Sequence, residues 1–458
     1  MEQKSVNKMG TVPIKKLMIS MGLPVVISMM LQALYNIVDS AFVSNMQGGE
    51  DALNALTLAF PVQMLMVAIG IGTGVGVNVL LAKSLGQKDR EKASAVAGNA
   101  IFLGVVITLV FTLFGIFGVK FYISTQTSNP VIFDLAVEYL QICCIISCGI
   151  VFFNIFEKLL QSTGLTVHST IAQISGAVIN IILDPIMIYG LFGCPEMGVA
   201  GAAYATVIGQ IASFVIALVF HFTANKSVDK GLRYIKPQIR LIKEIYVIGL
   251  PAIIAQALMS FMTYGINIVL GQVNESLVTA YGLYYKIQQF ILFAAFGLRD
   301  TITPIVSYNY GTQNKTRIMD GIKYGVGYTL AIMVLGTLVL ELFAGPLCAA
   351  FGLSGTTENL CISATRIISI GFVFAGASIA LQGIFQALSC GFSSLIISVC
   401  RQLVFVLPVA WVFTLFVTPD LANAWIVWLT FPIAEIATGA IAIGLMLKAY
   451  KSKIQTIL

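Results

Sequence analysis

Charged residues are scarce in this chain: they make up 10% of its 458 residues, against 58% that are hydrophobic, and the mean hydropathy is +0.93. That balance excludes a water-soluble globular protein. Only two histidines are present, and the eight cysteines show neither zinc-type spacing nor a secreted disulfide framework. Most of the cysteines fall inside apolar runs and read as small buried apolar residues. The phosphate-binding loop of a nucleotide-driven pump is missing too. Gly70, Gly72, Gly74 and Gly76 lie in an apolar run with no preceding strand and no lysine–serine pair after them, so they are expected to serve close helix packing. No Ser/His/Asp or metal-ligand cluster suggests an embedded enzyme, and no cofactor is expected. The polar segment 1–16 lacks the apolar core and cleavage site of a secretory leader, so the first apolar run is expected to remain in the mature protein.

Long apolar runs fill the space these features leave. About twelve exceed the roughly 18 residues that mark a membrane-spanning helix. The expected fold is therefore an all-α polytopic membrane protein with twelve transmembrane helices. Most of the 26 Lys and Arg fall on one side of such a topology. They include Lys83, Lys88, Arg90 and Lys92, the cluster from Lys226 to Lys243, and Lys448, Lys451 and Lys453. Cytoplasmic loops carry this excess, so both termini are expected to be cytoplasmic, in a bacterial plasma membrane. The net charge of +6 thus reports topology, and nucleic acid is not an expected partner.

The chain also repeats itself. Gly22-Leu23-Pro24 opens the first span and Gly249-Leu250-Pro251 the seventh; the loop Ser84 to Asp89 has a counterpart in Asn309 to Asn314. Both pairs are separated by about 225 residues, which points to two six-helix lobes related by a parallel internal repeat. Residues 1–222 form the amino-terminal lobe, 223–243 a basic cytoplasmic linker, and 244–458 the carboxy-terminal lobe. Internal repeats of this kind are typical of secondary transporters, whose substrates bind where the repeats meet.

Two aspartates stand out against the apolar background. Asp39 lies in the first span and Asp184 in the fifth, where Asn180 precedes it by one helical turn and Pro185 follows. An ionisable residue at the centre of a spanning helix costs about 2.5–3.5 kcal/mol on insertion scales and marks an ion or substrate pathway. Counted from the helix ends, both lie at a matching depth, roughly 10 Å below the outer boundary. Asn36 is one turn below Asp39, and Thr206 on the sixth span arrives near the level of Asn180. These five residues form a candidate cation-coupling set; carboxylate, amide and hydroxyl oxygens suit a hard cation such as Na+, which makes Asp39, Asn180, Asp184 and Thr206 a candidate metal site. Two carboxylates in one pocket also suit a proton. The structural alternative is interhelical hydrogen bonding alone. In the second half, Arg299, Asp300, Arg401 and Glu435 are expected to form a structural charge network in the cytoplasmic half. Tyr35, Gln256, Tyr281 and Gln288 are candidate cavity residues, with ordinary packing as the alternative.

The stretch Tyr35-Asn36-Ile37-Val38-Asp39, the stretch Asn180-Ile181-Ile182-Leu183-Asp184-Pro185, the twin glycine loops, and Arg401-Gln402 before Pro408 together resemble the multidrug and toxic compound extrusion (MATE) family. The resemblance covers almost the whole chain and is nearest to the bacterial cation-coupled drug exporters. It implies that Asp39, Asn180 and Asp184, with Thr206 nearby, carry Na+ or H+ coupling. It also implies small cationic or amphipathic substrates and a monomer in the lipid bilayer. Some relatives instead place essential acids on the seventh and eighth helices. Here the seventh span has no acid, only Gln256, Tyr264 and Asn267, so no second carboxylate site is expected there. The expected function is antiport of drugs against Na+ or H+; the alternative is a lipid-linked saccharide flippase of related architecture.

Overall fold

The computed structural model describes residues 7–46, 49–350 and 355–457, apart from the side chains of residues 36, 37, 40, 41, 44, 49, 50 and 350. Among these residues the regular structure is entirely helical. Among the described residues, ten helices are long and apolar enough to cross a membrane, and twelve spans result when each of two bent helix pairs counts as one. This agrees with the twelve runs read from the sequence.

The main helices of the first half are α1 (Ile14–Ser44), α2 (Gly49–Gly86), α3 (Arg90–Leu113), α4 (Pro130–Ile145), α5 (Cys148–Ser162), α6 (Thr166–Tyr189) and α7 (Gly198–Thr223). Those of the second half are α8 (Ile239–Gly271), α9 (Glu275–Gly311), α10 (Lys315–Ala350), α11 (Gly355–Ser369) and α12 (Phe372–Ala387). They continue with α13 (Gly391–Val399), α14 (Val406–Thr414) and α15 (Thr430–Ala449). The chain divides into two compact units. One comprises Met1–Thr11 and Ile27–Ile253, the other Val12–Val26 and Ile254–Leu458. The divisions thus fall inside α1 and α8, within three residues of Pro24 and Pro251.

Each unit has its own apolar core. In the first, Phe156, Leu159, Leu160, Leu81 and Ile155 are fully buried; in the second, Trp428, Tyr281, Tyr284 and Ile379 are. Large apolar side chains also face outward, among them Leu109, Val110, Leu113, Phe117 and Phe121 along one stretch. A chain whose solvent is hydrocarbon has no reason to hide them, and the continuous helices satisfy their own backbone groups.

The internal repeat is visible in the backbone. Lys88 and Gln313 both take the left-handed conformation, with φ of 61° and 56°. After them, Asp89 N–H bonds the Ser84 carbonyl at 3.0 Å, and Asn314 N–H bonds the Asn309 carbonyl at 3.1 Å. Asp89 then caps α3 by accepting from Lys92 N–H at 2.9 Å, and Asn314 caps α10 by accepting from Arg317 N–H at 3.0 Å. These side chains satisfy backbone donors that a helix start leaves unpaired. The bent pairs match as well: α4 and α5 meet at 45°, α11 and α12 at 53°.

The glycine run in α2 packs helices, as expected. A Cβ on Gly70 would lie 3.0 Å from the Asn154 amide, and one on Gly74 2.8 Å from Lys158 Cγ, both on α5. Gly72 and Gly76, on another face, abut Ile253 and Ile245 of α8. The segment after α7 is held on α3: Gln238 N–H donates to Asn99 Oδ1 at 2.7 Å, and Arg90 pairs with Asp229 at 2.8 Å.

Candidate functional site: a carboxylate cluster beside a cavity

Asn180 and Asp184 share one face of α6 because residues four apart stack on a helix. Both are buried, at 3% and 0% exposure. Asn180 Nδ2 donates to Asp184 Oδ1 at 3.2 Å and reaches Thr206 Oγ1 on α7 at 3.5 Å. Small residues make this reach possible. Gly176 on α6 and Gly209 on α7 face each other, and a Cβ on Gly209 would come within 2.7 Å of the Gly176 carbonyl oxygen. Close backbone approach of this kind is how membrane helices pack without large side chains between them. Helix α6 runs unbroken through Pro185 to Tyr189.

Asp39 enters from α1, and its carboxyl comes within hydrogen-bonding reach of Asp184. Tyr35, one turn earlier, lies close to both carboxyls and lines the adjoining cavity. The carboxy-terminal end of α1 is fastened to α6 by Tyr189, whose hydroxyl donates to the Phe42 carbonyl at 2.7 Å. The side chain of Asn36 lies outside the described residues. The structure thus brings together Asp39, Asn180, Asp184 and Thr206 from three helices of the first unit.

Three acceptor oxygens in this cluster, Asp39 Oδ1, Asp184 Oδ2 and Asn180 Oδ1, are buried with no hydrogen-bond partner among the described residues. Buried acceptors are almost always paired, and two carboxylates within reach of each other repel. A bound cation or proton relieves both costs. The donor set of two carboxylates, an amide oxygen and a hydroxyl fits a hard monovalent cation.

A second polar shell adjoins the cluster. Gln63 on α2 donates to the Tyr139 hydroxyl at 3.1 Å and to Cys143 Sγ at 3.6 Å, both on α4. Tyr139 lies close to Asp39 and Tyr35. Sequence reading missed Gln63, Tyr139 and Cys143. Their only mark in the sequence is a neutral polar or sulfur-bearing residue in an apolar run, which many spans carry.

Adjoining the cluster is a cavity within the first unit. Tyr35, Asn180 and Thr206 belong to both the cluster and the cavity wall, and Leu31, Phe153 and Ile174 give that wall its apolar part. Gln32 and Gln173 cross it with a 2.9 Å hydrogen bond. Its wall combines apolar side chains with a few polar groups, as small-molecule sites do.

The other residues singled out from the sequence lie in the second unit. Gln256 is half-buried on α8. Tyr281 is fully buried and stacks on Phe431 with ring centroids 5.5 Å apart, and Gln288 accepts from the Tyr284 hydroxyl at 2.7 Å. The four charges form two pairs: Arg299 with its neighbour Asp300 at 2.8 Å, and Arg401 with Glu435 of α15 at 2.6 Å. Arg401 sits in the wide turn Cys400–Val404 between α13 and α14.

Comparison with known proteins gives the family. The family model MatE matches the chain twice, over residues 24–186 and 251–412. The chain is 25% identical over 400 residues to the multidrug export protein MepA of Staphylococcus haemolyticus, covering 87% of this chain and 86% of the relative. It is 26% identical over 385 residues to MepA of Staphylococcus aureus, covering 80% and 81%. Its fold matches a solved outward-facing multidrug resistance MATE family transporter with a TM-score of 0.91 at 25% identity, over 99% of this chain and all of the other. A transporter of the same superfamily from Pyrococcus furiosus, described as having a binding pocket of reversed polarity, matches with a TM-score of 0.90 at 25% identity, over 99% and 100%. With the model matched in both halves, the chain belongs to the MatE family, the multidrug and toxic compound extrusion transporters, and is a multi-pass membrane transporter and not an enzyme.

Proposed function

We propose that this transporter exports organic cations and other amphipathic drugs in exchange for Na+ or H+, with the coupling ion at Asp39, Asn180, Asp184 and Thr206. The observation that carries this reading is the sharing of residues. Tyr35, Asn180 and Thr206 line the cavity and also adjoin the unpartnered acceptor oxygens, so an ion entering the cluster acts on the cavity wall. The relatives named as multidrug export proteins support the substrate class. The excess of Lys and Arg on one side supports a plasma-membrane orientation with both termini cytoplasmic. In this cycle ion binding repacks the α1 and α6 contact, drug leaves outward, and the ion gradient drives the return. One charge crossing 100 mV supplies about 2.3 kcal/mol.

The test is transport in proteoliposomes with Na+ and H+ gradients imposed separately. Drug efflux should follow one of them, and Asp39→Asn and Asp184→Asn should each abolish it at unchanged protein yield. Undiminished efflux by both single variants would sink the assignment. Movement of a lipid-linked saccharide with no gradient-driven drug efflux would replace it with a flippase.

A further inference from the structure

Cys348 and Cys361 lie 13 residues apart in sequence, one near the end of α10 and the other near the start of α11, with their sulfurs 3.0 Å apart. Both are fully buried. The two helices are also joined further along: Thr337 Oγ1 donates to the Ser369 carbonyl at 2.9 Å, and Ser369 Oγ donates to Glu341 Oε1 at 2.9 Å. With the backbones so held, the sulfurs need to approach by only about 1 Å to reach bonding distance. The internal repeat supplies a control. The equivalent positions of the first unit, about 225 residues earlier by the same repeat, are Ile123 and Ala136, both fully buried. Packing at this corner of the fold is thus met by plain apolar side chains in one half, and the other half places two thiols there.

We infer that Cys348 and Cys361 are a redox pair that forms a disulfide and ties α11 to α10. The reaction is exchange with a small-molecule or protein disulfide. One cysteine, as thiolate, attacks a sulfur of the oxidant and releases an oxidant thiolate. The second cysteine then attacks the mixed disulfide and releases the other. Two protein thiols are oxidised, one oxidant disulfide is reduced to two thiols, and the two protons go to the released thiolates. The proposal rests on the orientation given above in one respect: that orientation puts this corner on the extracytoplasmic side, where disulfides persist.

The experiment uses the full chain in detergent, alkylated while denatured, as isolated and after incubation with oxidised glutathione. Six of the eight cysteines should then react, and all eight after reduction. Proteolysis at Glu358, between the two cysteines, should leave the flanking fragments joined until reductant is added. Reduction should lower the midpoint of thermal unfolding in the parent chain and leave it unmoved in C348S/C361S. Eight reactive thiols after glutathione treatment, or a linkage outside this pair, overturns the proposal. A reporter inserted at the α10–α11 corner reads the orientation separately. A cytoplasmic signal there with the disulfide still forming in vitro rejects the orientation and keeps the pair.

Discussion

Asn180 Nδ2 donates to the carboxylate of Asp184 at 3.2 Å, one helical turn further along α6, and the same amide reaches Thr206 on α7 at 3.5 Å. One side chain therefore orients an acid and couples two helices. Its own oxygen is left as a buried acceptor with no hydrogen-bond partner among the described residues.

Replacing Asn180 by Leu should remove both roles. A hydrogen bond to a charged group contributes about 1.5–3 kcal/mol, which corresponds to a roughly tenfold to hundredfold rise in the coupling-ion concentration giving half-maximal efflux. Thr206→Val, which loses only the longer contact, should shift that concentration less. Ion titrations of drug efflux in proteoliposomes measure both, and equal effects would contradict the geometry.

Gly209→Ala tests the close approach beneath the cluster. The added methyl would lie 2.7 Å from the Gly176 carbonyl oxygen and 3.0 Å from Asn180 Cβ. Overpacking of this kind costs about 1–3 kcal/mol. The variant should melt at lower temperature and lose efflux, because α6 and α7 must separate and carry Asn180 away from Thr206. A thermal unfolding scan with a transport assay checks this; normal values of both would show that the helices yield without cost.

Filling the cavity should separate drug from ion. Leu31 lines the cavity but has no part in the carboxylate cluster. Leu31→Trp should weaken drug binding, read by fluorescence quenching, and leave ion-dependent changes in intrinsic fluorescence in place. Loss of both signals would mean that the two sites are one.

The Arg401–Glu435 pair of the second unit, at 2.6 Å with side chains 11% and 14% exposed, predicts an asymmetry. Breaking a buried pair from one side costs about 3–5 kcal/mol, whereas replacing both partners with apolar residues of similar volume is often neutral. Glu435→Gln should therefore lower the unfolding midpoint more than the double substitution Arg401→Met with Glu435→Leu. Equal losses would point to a role beyond pairing.

Much of the fold was legible in the sequence because hydrocarbon is a strict solvent. Every span must be apolar and helical over its length, so the runs themselves reveal number and order. The repeat was legible because turn backbone needs particular residues in particular places, as at Asp89 and Asn314. The bends between Ile145 and Cys148 and between Ser369 and Phe372 were not, because both helices of each pair are apolar and nothing in their composition marks the angle. For the site, Asp39, Asn180, Asp184 and Thr206 could be named from charge and depth. Gln63 and Tyr139 could not, since neutral polar residues in a span are too common to single out.

The sequence by itself determined the membrane class, the two-fold internal repeat and the identity of the two acids within apolar spans, because these follow from hydropathy and periodicity along one chain. Which side chains face each other was decided only by the tertiary structure. Helix spacing and rotation depend on packing, here on Gly176 against Gly209, and that packing turns Asn180 toward both Asp184 and Thr206. The same holds for Cys348 and Cys361, which read as ordinary apolar residues until two antiparallel helices set their sulfurs 3.0 Å apart.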